Sequence, residues 1–82
     1  MERKIKLIWD FRGPAAEKTA EHHAIHLDHY CTKEGLNPEL CGSRNLDQGY
    51  SIAYMVVPES RMPVVRDTLK PHRGEVYEEI PG

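Results

Sequence analysis

Four times along this 82-residue chain the spacing of apolar residues switches between two and roughly 3.6, and that succession leaves few folds open. Residues 3–11 alternate, with Ile5, Leu7, Trp9 and Phe11 on one side and Lys4, Lys6, Ile8 and Asp10 on the other, as a strand does. Gly13-Pro14 stops the strand and opens a helix, with Pro14 at or near the first helical position, where a missing N–H costs nothing. Across 15–34 the residues Ala16, Ala20, Ala24, Leu27 and Cys31 recur at helical spacing, Gly35 suits a C-terminal cap, and Asn37-Pro38 forbids continuation. Residues 40–46 form a weak strand around Cys41, and Asp47-Gln48-Gly49 reads as a tight hairpin turn. The strand over 50–57 is the strongest, apolar on both faces and therefore central. Pro58 ends it. Ser60 is placed to cap a second helix running to Leu69, with Pro63 in its first turn and Met62, Val65 and Leu69 on one face. Pro71 closes that helix, and residues 74–80 offer a last short strand charged enough for an edge.

The order β-α-β-β-α-β in a single domain, 1–82, predicts the ferredoxin-like α+β arrangement: a four-stranded antiparallel sheet with two helices on one face. The other face then carries Ile52, Tyr54 and Val56 beside Ile8, an apolar patch that calls for cover. A second copy of the chain is the simplest cover, so a homodimer is expected. A domain this small is thinly stable alone, and a metal, a disulfide or a partner copy are the usual reinforcements.

Eleven basic against 13 acidic residues give a formal charge of −2, which provides no general attraction to nucleic acid or to anionic membranes. The longest apolar run, 53–57, is far below the ~20 residues that span a bilayer. The basic start, Met1-Glu2-Arg3-Lys4, is followed by no apolar leader segment, and the expected address is the cytoplasm. In that reducing setting Cys31 and Cys41, outside any C-x-x-C pair, are expected to be free thiols.

Four of five histidines fall between His22 and His29. At ~100° per residue His23 falls at the edge of the core stripe, whereas His22, His26 and His29 share one flank. Histidines four apart have the spacing of two ligands on one metal, so His22, His26 and His29 are the candidate metal ligands, with zinc the candidate ion. The zinc-protease signature needs a glutamate after its first histidine, and His22 is followed by His23. No further ligand is forced, and a solvated flank accounts for the same residues.

The predicted topology gathers polar residues at one end of the sheet: Asp10, Arg12, Arg44, Asn45, Asp47, Gln48, His72 and Arg73. The first helix also begins there with its unpaired N–H groups. Asp10, Arg12, His22, His72 and Arg73 are therefore the candidate ligand-binding set, and a small anion held by charge-assisted hydrogen bonds is the candidate ligand. Asp10 and His72 are the candidate catalytic pair of a small acid–base enzyme. Ordinary surface ion pairs of Asp10 with Arg12 or Arg73 are the plainer alternative.

Other chemistries read poorly. No serine has a G-x-S-x-G setting, and neither cysteine has an evident base. The segment from Gln48 to Tyr54 partly echoes the third-strand signature of RNA-recognition motifs. It lacks the leading basic residue and second aromatic, and Lys6 stands where the companion motif needs an aromatic, so RNA binding is not expected. Metal chaperones of this topology carry C-x-x-C where this chain has Phe11-Arg12-Gly13-Pro14, and the acylphosphatase loop pattern is also missing.

The stretches Ile8-Trp9-Asp10-Phe11-Arg12-Gly13-Pro14, Thr19-Ala20-Glu21-His22-His23-Ala24-Ile25-His26-Leu27 and Val64-Val65-Arg66-Asp67-Thr68-Leu69-Lys70-Pro71-His72-Arg73-Gly74-Glu75 resemble those of a group of small uncharacterised bacterial proteins, along nearly the whole chain. The resemblance implies a compact α+β domain and brings no catalytic residues with it. The expectation is thus a small cytoplasmic ligand-binding or regulatory module, homodimeric, with an anion-accepting polar edge.

Overall fold

The computed structural model describes residues 3–36 and 40–77. Along the chain run β1 (Lys4–Arg12), α1 (Ala16–Lys33), β2 (Cys41–Asp47), β3 (Tyr50–Pro58), a 3₁₀ turn (Glu59–Arg61), α2 (Met62–Leu69) and β4 (Arg73–Tyr77). The strands form one antiparallel sheet in the order β2-β3-β1-β4. This is the ferredoxin-like βαββαβ arrangement. No helix among the described residues is long and apolar enough to cross a membrane.

The pleat sorts the residues of the two central strands. On the helix side Leu7 and Trp9 of β1 and Ala53, Met55 and Val57 of β3 pack with Leu27 and Cys31 of α1 and Val65 of α2. Burying one such large side chain contributes about 1.5–3 kcal/mol, and this layer is the main source of stability. The indole N–H of Trp9 donates to the Leu69 carbonyl at 3.0 Å, so the one polar atom of that ring is satisfied at the end of α2.

Both helix ends of α1 are built from backbone. At the start Pro14 lies one residue ahead of the cap Ala15, not inside the helix, and the turn closes when Ala16 N–H reaches Gly13 O. At the end Gly35 has φ +71°, Gly35 N–H bonds Thr32 O, and Leu36 N–H bonds Cys31 O at 2.8 Å. That pair of bonds is a Schellman motif, and it folds Leu36 back into the core beside Cys31. Ser60 lies in the 3₁₀ turn, one position short of the cap of α2, and Pro63 occupies the first turn as expected. The expected turn at 37–38 and the expected strand beyond Tyr77 lie outside the described residues.

The face away from the helices departs from expectation. Ile8, Ile52 and Val56 are only 2%, 4% and 4% exposed in the single chain, so they form no open apolar patch. Long charged side chains lie across the tyrosines of the same face. The Lys6 ammonium stands 4.8 Å from the centre of the Tyr54 ring, and the Arg12 guanidinium 4.1 Å from that of Tyr50. Tyr54 lies flat over β2 because its opposite residue is Gly42, where a Cβ would stand 2.9 Å from the tyrosine oxygen. The patch that pointed to a homodimer is therefore already covered from within the chain.

Candidate functional site

Asp10 organises the described polar cluster. It stands on the open face opposite Ile52, with Tyr50 and Arg12 facing each other one step along the strands. The Tyr50 hydroxyl donates to Asp10 Oδ1. Arg73, which reaches across from β4, donates through Nε to Oδ2 at 3.1 Å and through Nη2 to Oδ1 at 3.2 Å. The same Nη2 also donates to the Tyr50 oxygen at 3.3 Å. The hydrogen bonds from Arg73 and then Tyr50 hold the Asp10 carboxyl below the usual aspartate range, against the opposing effect of partial burial. Asp10 is thus a fixed, paired anion and an unsuitable proton acceptor near neutrality.

His72 touches Asp10 through the backbone. Its Nδ1 accepts the Asp10 N–H at 2.8 Å, while its backbone N–H donates to Ile8 O at 2.9 Å. The ring takes the place that a strand carbonyl would fill just before β4 begins. Among the described residues the carboxylate is held by Tyr50 and Arg73, so the candidate acid–base pair meets through the Asp10 backbone N–H and not through its side chain.

The five-residue ligand set divides along the pleat. Asp10, Arg12 and Arg73 meet on the open face, His72 closes the edge between β1 and β4, and His22 is exposed on α1, which packs on the opposite face. The hairpin turn does reach the start of α1, as expected, because Gly13 N–H bonds Gly49 O at 2.8 Å. Tyr50, which the sequence reading left out of the site, joins Asp10, Arg12 and Arg73. The signal was its position at the mouth of the hairpin, on the same alternating set as Ile52.

The histidine cluster separates as helical phase predicts. His22, His26 and His29 are exposed, and among the described residues no three His, Cys, Asp or Glu side chains gather into a metal-holding group. His23 packs its ring 4.9 Å from Trp9 and 5.6 Å from Phe11, centre to centre. Its buried Nε2 has no hydrogen-bond partner. Burial first, and then the neighbouring His26 and His72, push its pKa below the ordinary histidine value.

A groove of about 520 Å³ opens between α2 and β4, with Ile5, Leu7, Met62 and Val76 beside the polar Arg66, His72 and Glu75. Gly74 shapes it: a Cβ there would press on Leu7 Cδ2 at 3.3 Å. Cys31 and Cys41 are not bonded in the structure. Burial raises the pKa of each, with Asp28 adding to the effect, so both hold their protons more tightly than a solvent-exposed thiol. No family model, curated protein or solved structure matches the chain.

Proposed function

We propose that the protein is a small binding domain that takes an anionic ligand on the open face of its sheet. One observation carries this reading: the charge of that face is opposite to the charge of the chain. Among the described residues the face holds Lys4, Lys6, Arg12, Arg44 and Arg73 against Asp10, Asp47 and Glu75, in a chain of formal charge −2. Arg73 is committed to Asp10. Lys6, Arg12 and Arg44 take part in no ion pair among the described residues, and two of them rest on tyrosine rings. A guanidinium laid on an aromatic ring keeps its edge N–H groups free for a carboxylate or phosphate. The anion site thus moves from the sheet end onto the sheet surface and keeps Arg12 and Arg73 of the expected set.

Titration with inorganic phosphate at constant ionic strength, followed by backbone and arginine side-chain NMR, tests the reading. Saturable shifts at Arg12, Arg44 and Tyr50, weakened in Arg12→Ala, are expected. Shifts that stay linear and uniform over the whole surface up to millimolar phosphate reject it.

A further inference from the structure

Cys31 lies in the last turn of α1 and Cys41 is the first residue of β2. Their sulfur atoms stand 2.7 Å apart. Non-bonded carbon atoms settle at about 3.5–4.0 Å, and sulfur is larger than carbon. A sulfur–sulfur bond is about 2.0 Å long, so the separation falls inside any non-bonded contact. Each partner is held from its own side. The Schellman bonds at Thr32 and Cys31 fix the end of α1, and pairing of Cys41 with Met55 fixes the start of β2. Cys31 is fully buried, and Cys41 packs against the same core from a partly open position.

We propose that Cys31 and Cys41 form an intramolecular disulfide that staples α1 to β2. Of the three reinforcements open to so small a domain, no metal-holding group is assembled among the described residues and the apolar residues of the open sheet face are buried in the single chain, whereas the thiol pair is in place. The oxidant is a small-molecule disulfide such as oxidised glutathione. Cys41, the more open thiol, loses its proton and attacks one glutathione sulfur, forming a mixed disulfide and releasing one glutathione thiolate, which takes up a proton. Cys31 then loses its proton and attacks Cys41 Sγ, forming the Cys31–Cys41 bond and releasing the second glutathione thiol. Two protein thiols are oxidised and one glutathione disulfide is reduced to two thiols, so electrons and protons balance. The raised pKa of both thiols makes this exchange slow, as befits a structural link.

The folded, reduced chain is incubated with oxidised glutathione, then denatured, alkylated and weighed intact. The expected product is a monomer lighter by two hydrogens, without alkyl or glutathione adducts, whose thermal midpoint drops by roughly 10 °C when reductant is added. Cys41→Ser, which leaves buried Cys31 in place, is expected to fold and to show no response of the midpoint to reductant. A retained glutathione adduct, two alkylated thiols, a disulfide-linked dimer or a midpoint indifferent to reductant each overturns the proposal.

Discussion

The two faces of the sheet are almost equally dry and are kept dry in different ways. Met55 and Val57 are sealed by helices whose side chains interdigitate with them. Ile52 and Val56, on the same strand and nearly as buried, lie on the face where the Lys6 ammonium and the Arg12 guanidinium rest on tyrosine rings. A helix lid is rigid and forfeits contacts when a core atom is removed, whereas a lid of lysine and arginine stems settles into the space. Equal burial therefore does not mean equal stability. It also leaves one face chemically blank and the other lined with cations.

The largest expected effect probes that difference directly. Met55→Ala is expected to cost about 3 kcal/mol and Ile52→Ala about 2 kcal/mol, measured by urea denaturation. Equal losses would mean that the polar lid packs as tightly as the helices. Next comes the seam between the faces: His72→Ala leaves the Asp10 N–H to water and is expected to cost about 1 kcal/mol, with faster amide exchange at Asp10. Lys6→Ala follows at about 0.5–1 kcal/mol, with new solvent access to the Tyr54 ring in NMR.

The smallest effects separate the faces by pH. His23, on the helix side, has a folded pKa below its ordinary 6.5, so the unfolded chain binds the proton first. Its contribution is complete above about 6.5 and is lost as pH falls from there through the folded value. Asp10, on the open side, has a folded pKa below 3.8, and its contribution is lost only as pH falls beneath that. Stability measured against pH is expected to decline in two limbs, His23→Leu removing the milder one and Asp10→Asn the more acidic one. A single limb unaffected by His23→Leu would show that the imidazole is solvated.

The fold was legible because each element carried its own punctuation. The alternation from Ile5 to Phe11, the helical spacing from Ala16 to Cys31 and the cap at Gly35 all describe local backbone, and local backbone is what periodicity reports. The site was legible only by half. Topology placed Asp10, Arg12, His22, His72 and Arg73 at one end, but the pleat decides which side of the sheet each one serves. Asp10 alternates with Ile8 and away from Trp9, so its parity already set it apart from anything on α1. The burial of Ile52 and Val56 was not legible, because it depends on how side chains lie across neighbouring strands. The meeting of Cys31 with Cys41 depends on how the chain returns from α1 to the sheet, and no period records that path.

Trp9 is the only tryptophan in the chain, and its ring lies 4.9 Å from His23 while its N–H holds the last turn of α2. A protonated imidazole quenches the light emitted by a neighbouring indole, and release of the indole N–H to water moves that emission to longer wavelength. Brightness therefore follows the charge on His23, and colour follows the docking of α2. With no label attached, the molecule carries an optical gauge with two independent readings of its own core.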